Sequence, residues 1–382
     1  MTKTLFIGGT IITADTTLKN HTLVIENGVI QAIQPGYISA DTVDHVIDAT
    51  GQTIIPGLID VHVHGGDGHD TMDATPAAIH GMARFFAQHG VTSYYPTTMT
   101  DTAENIQRAL ENVAACPHPE DGAQHLGVHV EGPFLSPHYP GAQPPTFFRP
   151  PQPDEYAAWM KTGVVRLITV APELDGALPM IEALTAQGVE FAAGHTNATY
   201  AETSRGAACG LRQVTHTFNG MRPLNHREPG ILGAALTDDR LYAQIIADGV
   251  HTHPAMVKLL FRAKGAGRVL LITDAMSAAG LPDGDYTLGA QSVTVKDGVA
   301  RIPAGNLAGS TLTLDRAVRN TVAWTGLSLA EILPAATSTP AEAMNLTNKG
   351  RLVPGMDADI VLLDEQLEVS LTMVGGRVVY RR

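Results

Sequence analysis

The sequence predicts an α/β fold: a (β/α)8 TIM-like barrel joined to a small β-sandwich that both chain ends build. Three features of the 382 residues predict it. Eight short apolar runs alternate with helix-like stretches through the middle of the chain. Both termini consist instead of short alternating strands. The ionisable residues of the middle region gather at the ends of the apolar runs, where a barrel places its chemistry.

The N-terminal strands are "TLFIGGTII", "HTLVIENGVIQAIQP" and "DHVIDATGQTIIP", and the "ENG" between alternating runs is a hairpin signal. At the other end, "DADIVLLDEQLEVSLTMVGGRVVY" has the same character, turned by Gly-Gly. Because chain ends often lie close together, residues 1–55 and 350–382 are expected to form one sandwich domain, with 56–349 as the barrel domain. The barrel strands fall at 57–63, 91–96, 126–132, 164–173, 189–195, 213–219, 242–249 and 268–275. Between the first two lies "TPAAIHGMARFFAQHG", a helix with proline just inside a threonine cap. "DTAENIQRALENVAAC" is the next helix. After the eighth strand a loop with a hairpin precedes helices in "TLTLDRAVRNTVAWTG", "LSLAEILPAAT" and "TPAEAMNL". A doubly wound sheet shares this alternation, but no glycine fingerprint of the dinucleotide or P-loop kind follows the early strands.

Bulk properties narrow the function. Hydrophobic content of 44% with 38 glycines and 24 prolines suits a globular, turn-rich protein. A formal charge of −13, from 25 basic and 38 acidic residues, disfavours nucleic acid and anionic membrane as partners. Cys116 and Cys209 make neither a disulfide framework nor a CxxC pair. The start lacks a basic region followed by a long apolar core, and no run approaches the roughly 18–20 apolar residues a bilayer span needs. A cytoplasmic protein is the expectation.

The first barrel strand, "PGLIDVHVHG", carries His62 and His64 at i, i+2, so both imidazoles leave one face. Glu131 ends strand three, His195 ends strand five, His216 lies in strand six, and Asp274 ends strand eight. Any one of these has a dull explanation as a capping, packed or surface residue. Together they put four histidines and two carboxylates at one rim, and buried charge at that density calls for a divalent cation. Imidazole with carboxylate suits Zn, Fe, Co, Ni or Mn, and the lack of cysteine ligands argues against a structural zinc. Such an ion acidifies water and polarises a carbonyl, with Asp274 placed to carry a proton. Hydrolysis of an amide or ester is the natural class. His129 shares the face of Glu131 one step deeper, as a supporting or merely packed residue, while His89, His118 and His138 have the character of loop or solvent-facing residues.

A second polar cluster points to substrate. "THTFNGMRPLNHREPG" (215–230) offers Asn219, the Gly220 backbone and Arg227 as an anion clamp; salt bridging at the surface is the alternative for Arg222 and Arg227. His251 in "DGVHTHP" is a candidate for a hydroxyl or phosphate contact. "EGPFLSPHYPGAQPP" and "NLAGS" are loops with backbone groups to line a cavity.

The motifs "PGLIDVHVHG", "HVEGPFLSP", "GHTNA", "THTFNGMRPLNHREPG", "LITDAMSAAG" and "NKGRLVPGMDADIVLLD" resemble the N-acetylglucosamine-6-phosphate deacetylase family of the metal-dependent amidohydrolase superfamily, over essentially the whole chain. The resemblance implies a homodimer and a principal ion, usually zinc, on Glu131, His195 and His216. A second ion would use His62, His64, Glu131 and Asp274. It also implies that Asp274 is general base and acid, and that Arg227 reaches a phosphorylated N-acetyl amino sugar in the neighbouring subunit. Sugar or phosphate contacts fall at Ala142, Asn219, Gly220, His251 and the 306–309 loop with Leu307, Ala308 and Gly309. Gln143 stands where many relatives have a histidine that polarises the acetyl carbonyl; an amide can donate there but cannot titrate. Two rivals are a cyclic-amide hydrolase, although no lysine ends a central strand as its carboxylated bridge would require, and a non-catalytic sugar-phosphate scaffold.

Overall fold

The computed structural model describes residues 2–37 and 43–382. Its centre is eight parallel strands: β1 (Leu58–Val63), β2 (Val91–Thr98), β3 (Val128–Glu131), β4 (Val165–Val170), β5 (Glu190–Ala193), β6 (Leu211–Val214), β7 (Tyr242–Ile246) and β8 (Val269–Ile272). Each pairs in parallel with the next in the chain, without the reversal of order that defines a doubly wound sheet. After each comes a helix: α1 (Pro76–Gln88), α2 (Ala103–Ala115), α3 (Pro153–Lys161), α4 (Ala177–Thr185), α5 (Tyr200–Cys209), α6 (Gly230–Thr237), α7 (Pro254–Lys264) and α8 (Leu314–Thr325). The expected (β/α)8 barrel is what the chain forms.

Local chemistry explains these elements. All six residues of β1 are buried, as in a parallel strand covered on both faces. Ile59, Val61 and Val63 pack with Phe85 and Phe86 of α1 in the main core, while Asp60 and His62 occupy the alternate face. Thr75 caps α1 by accepting the Ala78 N–H at 3.2 Å, with Pro76 at the first helical position, where its missing N–H costs nothing. Thr102 does the same for α2, and Thr199 with Glu202 forms a capping box on α5.

The barrel closes between β8 and β1 just beyond the end of β8. Asp274 N–H donates to His62 O (2.9 Å), and His64 and Gly65 N–H groups both donate to Ala275 O (2.9 Å each). Gly65 is needed for this approach: a Cβ there would lie 2.2 Å from His69 O and 2.9 Å from Ser277 N.

Two further sheets come from the chain ends. One contains 3–7, 21–26, 29–35 and 45–48. The other interleaves both ends, with Ile360–Leu363 antiparallel to Thr53–Pro56. Phe6, Leu23 and Ile30 from the first share one core with Ile54, Ile360 and Leu371 from the second, giving the expected sandwich. Between β8 and α8 a three-stranded antiparallel insert (284–288, 291–296, 299–301) packs Val293 and Val295 against Met99 and Met276 at the rim. No described helix is long and apolar enough to cross a membrane.

The strands differ from expectation in length at the rim. β6 ends at Val214 rather than at 219, so His216 lies in the loop after the strand, not within it. Its φ of +29° is incompatible with extended backbone. His195 and Asp274 likewise stand two residues beyond β5 and β8, with φ of +46° and +50°.

Candidate active site and metal centre

Strand alternation brings Asp60, His62 and His64 to one face of the first segment, and the other polar residues meet them at the carboxyl rim. Glu131, buried at the end of β3, stands between two histidine pairs. Its Oε1 lies 3.3 Å from His195 Nε2 and 3.2 Å from His216 Nε2. Its Oε2 lies 3.1 Å from His64 Nε2 and 3.5 Å from His62 Nε2. The Nε2 atoms of His195 and His216 are 3.1 Å apart, and those of His62 and His64 3.3 Å apart. Asp274 Oδ1 faces the second pair at 3.5 Å from His62 and 3.3 Å from His64. Two ligand groups result, His62–His64–Glu131 and Glu131–His195–His216.

The hydrogen bonds behind the rings decide what these groups can hold. His195 Nδ1 lies 2.9 Å from Tyr139 O, His216 Nδ1 3.1 Å from Asn219 O, and His64 Nδ1 3.2 Å from Thr97 O. A carbonyl only accepts, so each Nδ1 carries the hydrogen, and in the neutral form that binds a metal each ring turns its Nε2 lone pair inward. Lone pairs and carboxylate oxygens then converge without hydrogens between them, which is the donor set of a divalent cation. Both groups fit an ion that accepts imidazole and carboxylate.

The electrostatics show how strongly this cluster calls for positive charge, which protons on the rings or a cation in their place would supply. Burial opposes charge on His64, but Asp274 and Glu131 together outweigh it and push the imidazole up to about 10. Burial likewise works against ionised Asp274, yet His62 and His64 hold it down to about 2. Glu131 stays well below the usual carboxylate range for the same reason, against its burial. His129 behaves differently. Burial holds it well below the ordinary imidazole range, and its Nε2 lies 2.7 Å from Thr169 Oγ1. It is a neutral ring beneath His62, with centroids 4.6 Å apart.

Above the ligands lies a cavity of about 270 Å³. Of the residues expected to meet substrate, Ala142, Gln143, Asn219, Gly220, His251, Leu307 and Gly309 line it, together with His64, Glu131, His195, His216 and Asp274. Two others do not. Ala308 is buried with Met276 and Val295 in the core beneath the loop. Arg227 is exposed on the 222–229 loop, where its backbone N–H donates to Asn225 Oδ1. Gln143 is held at both ends: Oε1 accepts the Thr100 N–H at 2.9 Å, and Nε2 donates to Glu131 Oε2 at 2.7 Å.

Several participants carry no mark in the sequence reading. Met99 and Leu288 also line the cavity, as do Gly141 and Asn306 from the two loops expected there, and Asn306 Nδ2 ties those loops together by donating to Gly141 O at 2.6 Å. Asp60 was legible in principle, two residues before His62 on the same face. Its carboxylate accepts from Thr273 Oγ1 (2.6 Å) and His62 N–H (3.2 Å), joining the first and last strands under the ligands. Burial pushes it up to about 6 in spite of those bonds. His89, expected as a loop or solvent-facing residue, lies partly exposed in the turn after α1, with Nδ1 3.3 Å from Asp315 Oδ1.

Comparison with known proteins places this arrangement. Residues 53–379 match the amidohydrolase family. The chain is 36% identical over 377 residues to N-acetylglucosamine-6-phosphate deacetylase of Bacillus subtilis, covering 97% of this chain and 95% of the relative. It is 40% identical over 371 residues to N-acetylgalactosamine-6-phosphate deacetylase of Escherichia coli, covering 96% and 97%. Among solved structures, a mutant N-acetyl-D-glucosamine-6-phosphate deacetylase of Mycobacterium smegmatis, in complex with N-acetyl-D-glucosamine 6-phosphate, superposes with a TM-score of 0.92. It is 34% identical, and the match covers 99% of this chain and 100% of that one.

Proposed function

Because the chain belongs to the amidohydrolase family, we propose that it hydrolyses N-acetyl-D-glucosamine 6-phosphate to D-glucosamine 6-phosphate and acetate. The observation that carries this reading is the shared Glu131 between two inward-facing histidine pairs, with Asp274 beside one pair and a sugar-sized cavity above both. A divalent ion, zinc in this reading, held by Glu131, His195 and His216, and a second by His62, His64, Glu131 and Asp274, supplies acidified water and a polarised carbonyl.

The chain's own residues do the rest. Asp274, ionised at neutral pH, takes the proton of the attacking water and returns it to the departing amine nitrogen. Gln143 spends one N–H on Glu131, which leaves its second for the acetyl oxygen as negative charge grows there. Asn219 and Gly220 flank the sugar, and His251 meets the phosphate, so that binding remote from the amide orients it. Arg227, exposed on its own chain, serves the phosphate in the site of a second copy within a homodimer. The same reading places the enzyme in the cytoplasm and gives it no nucleic-acid partner.

Acetate release on four arms tests the assignment: the phosphorylated N-acetylglucosamine, the same with chelator, the unphosphorylated sugar, and N-acetylgalactosamine 6-phosphate. The first arm should be fast, chelation should stop it, and removing the phosphate should raise KM sharply. The fourth arm is included because the 40%-identical Escherichia coli relative is a deacetylase of that epimer. Turnover of a cyclic amide with no acetate released from either sugar phosphate would overturn the reading.

A further inference from the structure

We propose that Asp248 is a positioning residue that fixes the orientation and proton placement of His251, and so sets how strongly the cavity selects an anionic substituent on its sugar. This rests on the deacetylase reading for the identity of the anion. The two residues flank a tight turn directly after β7. Asp248 Oδ1 accepts the N–H groups of Val250 (2.8 Å) and His251 (2.7 Å), and Oδ2 lies 2.7 Å from His251 Nδ1. Every contact of this carboxylate thus goes to the two residues that present the ring. Both side chains are nearly buried, 10% exposed for Asp248 and 8% for His251.

The turn has a firm base. Asn320 of α8 donates to Ala247 O at 2.8 Å, and Gly249 takes a φ of +80° against Trp324. Since a carboxylate only accepts, the His251 hydrogen sits on Nδ1 and Nε2 is the atom left for the cavity that His251 lines. A phosphate in front of Nε2 and Asp248 behind Nδ1 then favour a hydrogen on both nitrogens, with the cationic ring between two anions. Donation to the phosphate becomes charge-assisted, the stronger kind of hydrogen bond. Asp248 itself stays below the ordinary carboxylate range: burial pushes it up, but His251 and the turn N–H groups outweigh that.

The substitution Asp248→Asn separates this role from mere capping. The amide oxygen can still accept both backbone N–H groups, but its NH₂ must donate to His251 Nδ1. The ring hydrogen then moves to Nε2, and a second proton would cost that bond. The expected result is a KM for the phosphorylated sugar raised about tenfold, with kcat lowered less than threefold. Inhibition by inorganic phosphate should weaken in parallel, and the KM for the unphosphorylated sugar should change less than threefold. Nitrogen-15 NMR of His251 should report the hydrogen moving from Nδ1 to Nε2. In a His251→Gln background the same substitution should add no further loss. Equal losses on both sugars, an unmoved ring hydrogen, or additive losses in the double variant would each overturn the proposal. The NMR arm does not depend on turnover, so a parent enzyme that releases no acetate counts against the deacetylase reading alone.

Discussion

Replacing Gln143 with leucine keeps much of its bulk and removes every polar contact it makes. Two of the losses fall on the resting protein. The Thr100 N–H loses its acceptor at 2.9 Å, at a cost of about 1–3 kcal/mol of stability for a buried group left unpaired, while Glu131 Oε2 loses one donor at 2.7 Å but keeps His64 Nε2 at 3.1 Å. The third loss falls on the transition state, where the remaining amide N–H would meet the oxyanion. One such donor is worth roughly 10²–10³ in kcat. The lower end applies here, because the carbonyl has a second source of polarisation. The expected variant therefore turns over about 10²-fold more slowly, with KM changed only a few-fold. Steady-state acetate release measures this, while ion content per chain and thermal unfolding separate catalysis from disturbance of Glu131. A fully metallated Gln143→Leu enzyme with kcat within about threefold of the parent would refute the assigned donor role.

Three further outcomes are expected. Asp274→Asn should lower kcat by about 10³-fold or more while leaving most of the bound ion in place, as elemental analysis would report; near-normal turnover would remove Asp274 from the mechanism. His62→Gln combined with His64→Gln should cost one ion per chain and spare the other, and loss of both ions would contradict the separation of the two groups. Asp315→Asn should cost roughly 2 kcal/mol at neutral pH, because His89 and Arg319 hold this mostly buried carboxylate down to about 2 against its burial. Its folded value is depressed, so the parent's advantage should be present above pH 4 and vanish as pH falls through about 2 in denaturation midpoints.

The barrel was legible because parallel strands covered on both faces must be apolar throughout, and β1, β2 and β8 are wholly buried. His62 and His64 were legible through strand alternation. The backbone of His195, His216 and Asp274 was not, since left-handed conformations at non-glycine residues leave no compositional trace. Asp60 and Asp248 escaped for another reason. Each accepts a hydrogen bond from a histidine two or three residues away, and an acidic residue beside a histidine is too common to signal that alone. Leu288 reaches the cavity from the three-stranded insert, whose place over the rim no local pattern announces, and Met99 reaches it from the end of β2 as an ordinary apolar residue. Arg227 lies exposed on its loop and does not line the cavity of its own chain.

The division of labour in Glu131 has a consequence for how such a site can change over evolutionary time. One oxygen answers to histidines on the first strand, the other to histidines after the fifth and sixth. Mutations confined to the "HVH" tripeptide can therefore erase one ligand group without touching the backbone or hydrogen bonds that shape the other. Such changes would leave Glu131, His195 and His216 as a complete ligand group. Glu131 is the one ligand common to both groups, so a change there would break both at once.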